Sequence, residues 1–195
     1  MFRNLFIICC IFIGHQAFAQ NSNANVSIPP KSIKPSPNFV PEQAIGAPLP
    51  PFILVSMAQP VVSGNTVTIN TKPSSYTTNK EVQYDANLFV MFFNPNCGHC
   101  ENMTMLLEQN MSLFKKTKVL LVAAPNQRPL VPNFLKDYNI SQYPSLVVGL
   151  DSLNLIGKLF LYKSLPQINI YDKERKLLKV FSGDTPIDSL KPYIQ

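Results

Sequence analysis

Cys97 and Cys100 stand three residues apart. They lie at the junction between a continuous apolar run, Asn87 to Phe93, and a segment of helical character from Glu101 to about Phe114. No other feature restricts the possible folds as much. An uninterrupted apolar run reads as a strand buried on both faces, so layers must cover it above and below. A cysteine pair of this spacing, where a strand hands over to a helix, is the pattern of a dithiol redox centre. The placement also has a chemical consequence. A thiolate at a helix start meets the positive end of the helix dipole, which stabilises the anion and makes that sulfur a better leaving group.

Length and charge narrow the classes. A chain of 195 residues with 46% hydrophobic residues suits one domain with an ordinary core. The net charge of +6 rests on scattered side chains such as Lys115, Lys116 and Lys118, then Lys173, Arg175, Lys176 and Lys179. Without a long basic run or interleaved aromatics, these read as solvated faces, and no nucleic-acid partner is expected.

The first residues read as an export signal. Arg3 supplies a positive start, Leu5 to Ile13 an apolar stretch, and Ala17-Phe18-Ala19 a small-x-small cleavage site before Gln20. The apolar stretch is too short to span a bilayer comfortably, so no stable membrane span is expected after cleavage. The alternative is an uncleaved anchor. Either way the expected location is exported, in the periplasm or cell envelope. Of the four cysteines, Cys9 and Cys10 leave with such a signal, and Cys97 and Cys100 remain. A bridge between those two would close a tiny loop and constrain the unfolded chain little. The pair is therefore expected to serve chemistry rather than stability.

Gln20 to Gly46 is rich in Asn, Ser and Pro, a composition that buries little surface and reads as an extended tether. The chain thus divides into a signal peptide (1–19), a Pro/Asn/Ser-rich tether (20–46) and an α/β domain (47–195). Within the domain, Phe52 to Val55 and Thr66 to Ile69 are expected as short strands, with Ser63-Gly64-Asn65 as the turn between them. Lys118 to Ala124 reads as a second buried strand, Val131 to Tyr138 as a helix, and Leu150 to Tyr162 as mixed or helical. After Pro166, Gln167 to Tyr171 alternates as a strand. Asp172 to Arg175 turns, Lys176 to Phe181 returns, and Gly183 breaks the strand. Asp184-Thr185-Pro186 then starts a terminal helix, with Pro tolerated in its first turn.

This order, with Cys-x-x-Cys after the central strand and a proline before the hairpin, resembles the thioredoxin fold. The fuller pattern resembles the envelope thiol–disulfide oxidoreductases of the TlpA/ResA type. It covers Ile45 to Ile194 and rests on three stretches: Ile45 to Phe52, Phe92 to Cys100, and Leu165 to Asp172. The resemblance implies a thioredoxin-like three-layer α/β/α fold with a central mixed sheet and an N-terminal extension. It implies that Cys97 is the exposed attacking cysteine and Cys100 the resolving one. It also implies that Leu165 and Pro166 form a cis-proline segment offering backbone groups to a substrate strand. Tyr143-Pro144 is the competing cis-proline candidate, but a choice of Pro144 leaves the hairpin and helix of residues 167–194 as surplus.

Between the cysteines, Gly98 and His99 are the expected redox-tuning residues. Thioredoxin carries proline at the second of these positions, whereas protein disulfide isomerase carries the same Gly-His pair. An imidazolium near Cys97 favours the thiolate over the disulfide and makes the couple more oxidising. Other positions depart from the family pattern. Asn96 stands where tryptophan is usual, and the places of the family's buried acid fall on Met91 and Met103. Glu101 is near but shifted, so no buried proton acceptor for Cys100 is assignable from the sequence.

Two other functions compete. Cys97, His99 and Cys100 with Met91, Met103, Met105 and Met111 offer soft ligands suited to Cu(I), which would make the protein a copper-insertion factor. Methionines at helical spacing are, however, more often plain core, and no metal ligand is assigned. The other alternative is a non-catalytic thioredoxin-like binding module. The expected activity remains disulfide exchange with client proteins, with no bound cofactor. Electrons would come from the dithiol of another redox partner.

Overall fold

The computed structural model describes residues 43–57, 61–63, 66–68, 73–82, 86–114, 116–160 and 164–194. The expected signal peptide and the tether up to residue 42 lie outside the described residues. Nothing among the described residues is a helix long and apolar enough to cross a membrane.

The apolar run after Asn87 forms β5 (Leu88–Phe92), and every side chain in it is buried. Around it the chain supplies β1 (Ile53–Met57), β4 (Pro73–Thr78), β6 (Lys118–Ala123), β7 (Leu146–Asp151), β8 (Gln167–Tyr171) and β9 (Leu177–Ser182). Among the described residues these make one seven-stranded sheet in the order β4-β1-β7-β6-β5-β8-β9. Strands β5, β6 and β7 are parallel, whereas β8 and β9 on one side and β1 and β4 on the other run antiparallel to their neighbours. The sheet is therefore mixed.

The strand period of two divides the core. Phe89 and Met91 of β5 face one layer and Leu88, Val90 and Phe92 the other. The first layer holds α1 (Gly98–Gln109), α2 (Val131–Asp137) and the terminal α4 (Ile187–Leu190). The second holds α3 (Leu155–Leu159) and the segment around Leu49 and Phe52. This is the three-layer α/β/α arrangement expected of a thioredoxin-like fold. The layering follows from connection handedness. Two successive right-handed crossovers, β5-α1-β6 and β6-α2-β7, step the same way along the sheet and leave both helices on one face. The connection from β7 to β8 carries α3, which packs on the opposite face.

Several local expectations are corrected. Thr66 to Ile69 does not continue the sheet from Phe52 to Val55. Instead β2 (Val61–Ser63) and β3 (Thr66–Thr68) pair with each other in a separate two-stranded sheet. The partner of β1 is β4, whose sequence Pro-Ser-Ser-Tyr-Thr-Thr is exposed at four of six positions and so carries no hydrophobic strand signal. The redox helix begins at Gly98, not Glu101. It ends at Gln109, before a separate 3-10 turn at Met111–Phe114. The stretch expected as mixed or helical from Leu150 splits between the end of β7 and the short α3.

Arg175 ties the β8–β9 turn to the rest of the fold. Its backbone is left-handed, at φ 62°. Its guanidinium donates to the carbonyls of Val82 at 2.7 Å, Ala86 at 2.8 Å and Asp172 at 2.7 Å. Further along the chain, Gly46 N–H donates to the Leu177 carbonyl at 2.8 Å, so the opening segment is bonded to β9.

Candidate redox site

The carboxyl end of β5 and the start of α1 build the site. Phe93 N–H donates to the Val122 carbonyl at 3.1 Å and so extends the β5–β6 ladder by one residue. The chain then turns through Asn94-Pro95-Asn96. Asn94 Oδ1 accepts from Asn96 N–H at 2.9 Å, and the Asn94 carbonyl accepts from Cys97 N–H at 3.0 Å. Asparagine favours such turns because its short side chain can bond its own backbone two residues on. Cys97 follows as the N-cap of α1, in extended backbone at φ −108° and ψ 111°, with no side-chain cap bond. Its sulfur therefore sits where unpaired helix N–H groups gather.

The two sulfurs differ in environment. Cys97 is half-buried and Cys100 fully buried, and both are free thiols. Cys100 packs with Met103, Leu107 and Met91 in the first core layer, and Cys97 lies against the rim of that layer. Burial pushes the Cys100 thiol up to about 12. The hydrogen bond it shares with Cys97 adds to this, as do the charges of Cys97 and Glu101. One turn on, buried Thr104 donates its hydroxyl to the Cys100 carbonyl at 2.9 Å and fixes the first turn.

The positions matching the family's buried acid are apolar in space as well as in sequence, since Met91 is 0% and Met103 2% exposed. Met111 packs partly buried on the same layer and Met105 is exposed, so the four methionines do not converge with the cysteines on one point. Among the described residues no group of three or more His, Cys, Asp or Glu side chains is placed to hold a metal ion.

Gly98 is the first helical residue, and a Cβ there would meet nothing within 4 Å. The surface beside Cys97 is thus open. His99 is exposed, and its Nδ1 lies 2.8 Å from Asp184 Oδ2. In the sequence Asp184 stands only at the start of the terminal helix, with no link to the cysteine pair. The two residues are 85 positions apart, and no spacing rule connects them.

Register explains why they meet. Gln167 of β8 pairs with Phe92 of β5 on one side and with Ser182 of β9 on the other. The end of β5, the start of β8 and the end of β9 therefore share one end of the sheet. Leu165-Pro166, Gly183-Asp184 and the cysteine turn all extend from that end. The Leu165–Pro166 peptide is cis, the only cis bond among the described residues, so Tyr143-Pro144 is trans.

Comparison with known proteins agrees with this geometry. The Thioredoxin family model matches residues 67–159. A search of curated proteins finds no match. Solved structures do resemble the chain. A candidate thiol:disulfide interchange protein DsbE of Chlorobium tepidum superposes with TM-score 0.57 at 18% identity, over 77% of this chain and 95% of that one. The thioredoxin domain of a thiol-disulfide oxidoreductase from Bacteroides vulgatus gives 0.56 at 14% identity, over 78% and 99%. The exposed lipoprotein thioredoxin of Streptococcus pneumoniae gives 0.53 at 17%, over 74% and 98%. At these identities the likeness is one of fold. Fold, family-model match and dithiol together define a thioredoxin-like domain with two free cysteines where its central strand hands over to a helix.

Proposed function

We propose that the chain is an exported oxidoreductase of the TlpA/ResA-like envelope type, exchanging disulfides with client proteins through Cys97 and Cys100. The observation that carries this reading is the contrast between the two sulfurs: one at the mouth of a helix beside an open surface, the other fully buried one turn on.

In the reducing direction, the Cys97 thiolate attacks one sulfur of a client disulfide. The client S–S bond breaks, a mixed disulfide forms, and the second client sulfur leaves as a thiolate that takes a proton. Cys100 loses its proton and attacks Cys97, which closes the Cys97–Cys100 disulfide and releases the first client sulfur. Two electrons pass to the client, and a partner dithiol restores the reduced pair. The oxidising direction is the reverse. The high proton affinity of Cys100 delays the second step until the client sulfur is already engaged.

A substrate strand would pair at Leu165. The Pro166 carbonyl already accepts from Gly183 N–H at 2.8 Å, whereas the Leu165 backbone has no partner among the described residues. Export is supported by the Arg3, Leu5–Ile13 and Ala17–Ala19 pattern. It is also supported by the likeness to an exposed lipoprotein thioredoxin.

The test is reduction of insulin disulfides together with equilibration against a glutathione buffer. Wild type should do both, and Cys97→Ser neither. Activity that survives Cys97→Ser overturns the reading. The measured potential then sets the direction: near about −270 mV the protein is a reductant, near about −180 mV an oxidant or shuffler. An N-terminus at Gln20 in the envelope fraction tests export.

A further inference from the structure

We propose that Asp184 is a positioning residue of the redox centre, holding His99 so that its free Nε2 delivers a proton to the client thiolate expelled by Cys97. The inference rests on the exchange reaction described above and assigns the proton that this reaction must place.

A carboxylate oxygen can only accept a hydrogen bond. The 2.8 Å contact between His99 Nδ1 and Asp184 Oδ2 therefore puts a hydrogen on Nδ1. The ring orientation is then set, and Nε2 takes no partner among the described residues. An imidazole whose one nitrogen is held by a carboxylate while the other stays free is suited to general acid–base transfer.

Asp184 is not on a loose tail. Gly183, at φ 77°, donates its N–H to the Pro166 carbonyl at 2.8 Å. Buried Thr185 donates its hydroxyl to the Gly183 carbonyl at 3.2 Å. A chain of hydrogen bonds thus runs from the proline at the start of β8, through the turn after β9, to the second residue of the redox helix. As a surface ion pair the contact contributes little to stability. Its role is to fix the orientation of a titratable ring carried on the first turn of the redox helix.

The step balances as follows. The Cys97 thiolate forms a bond to one client sulfur while the client S–S bond breaks. The departing electron pair resides on the second client sulfur. The Nε2 proton of the imidazolium transfers to that sulfur and leaves a neutral, Asp184-held imidazole that solvent reprotonates. In the opposite direction the neutral Nε2 accepts the proton of an attacking client thiol.

The role can be tested by varying the leaving group. A dialkyl disulfide such as oxidised glutathione expels a basic thiolate that benefits from protonation. An aromatic disulfide expels a thiolate that departs unprotonated. Rate constants for the full reduced protein with each are measured by stopped flow, and the ratio of alkyl to aromatic rate is compared. Asp184→Asn should lower that ratio about tenfold, less than an enclosed general acid provides because the pair is solvent-exposed. Asp184→Glu should restore most of it. In a His99→Gln background, where the ratio is already low, Asp184→Asn should change nothing further. A ratio for Asp184→Asn equal to wild type overturns the proposal and leaves disulfide exchange intact. The same drop in the His99→Gln background also overturns it, because Asp184 would then act without the histidine. A wild-type protein that reacts with neither disulfide removes the exchange reading itself and the proposal with it.

Discussion

Cys100 should be nearly inert toward alkylation in the folded, reduced protein, and its surroundings set the scale. Its side chain is 0% exposed, and burial leads the effects that push its thiol up to about 12. At pH 7 such a thiol is ionised to roughly one part in 10⁵, against about three parts in 100 for a free cysteine near 8.5. The thiolate is the reacting species, so ionisation alone slows Cys100 by about 3 × 10³. The informative perturbation is Cys97→Ala. It removes the hydrogen bond and charge of Cys97 but leaves burial, the largest cause, in place. Iodoacetamide labelling at pH 7, with peptide mapping to assign the site, should then show Cys100 reacting roughly 10²-fold or more slower than a free cysteine. The rate should climb about tenfold per pH unit over the next few units, as a growing thiolate fraction requires. In the wild type a single label should appear, on Cys97. Labelling of Cys100 in Cys97→Ala within about tenfold of a free cysteine would contradict the sheltered-sulfur reasoning.

Other consequences can be checked separately. The folded state holds the Cys100 proton more tightly than the unfolded chain does, so the unfolded chain sheds it first as pH rises. The reduced protein should therefore lose stability between about pH 8.5 and 12, by up to about 1.4 kcal/mol per pH unit. Urea unfolding at pH 8 and 10 should show this slope in the wild type, and Cys100→Ala should flatten it. His99→Pro, at a first-turn position that tolerates proline, should make the couple more reducing by tens of millivolts in a glutathione titration. An unchanged or higher potential would reject the tuning role. Gly149→Ala would set a Cβ 2.8 Å from Leu54 Cβ, where β7 meets β1. It should destabilise by about 1–3 kcal/mol, seen as a lowered melting temperature with the redox potential retained.

What was legible in the sequence followed hydrophobic pattern and turn chemistry. Strands β5, β6, β8 and β9 carry apolar runs or alternation, and Gly183 marks the end of β9 through its positive φ. Strand β4 was illegible because an edge strand can be exposed and polar along most of its length. β7 escaped because Tyr143-Pro144, just before it, reads as a rival cis-proline candidate and draws attention from the strand that follows. The cysteines were readable because their spacing and their place between an apolar run and a helical segment are visible in the sequence. Asp184 was not, because its relation to His99 exists only through the register of β5, β8 and β9. Met91 and Met103, the positions that spacing assigns to the family's buried acid, belong to the same core layer as Cys100.

Division of labour between the sulfurs is best tested by trapping. Cys100→Ser should accumulate a covalent adduct between Cys97 and a disulfide-bonded client that survives denaturing electrophoresis and disappears on addition of dithiothreitol. Cys97→Ser should accumulate none. Adducts on Cys100 in the Cys97→Ser protein, or none in either variant while wild type still turns over, would contradict attack by the outer sulfur and release by the inner one.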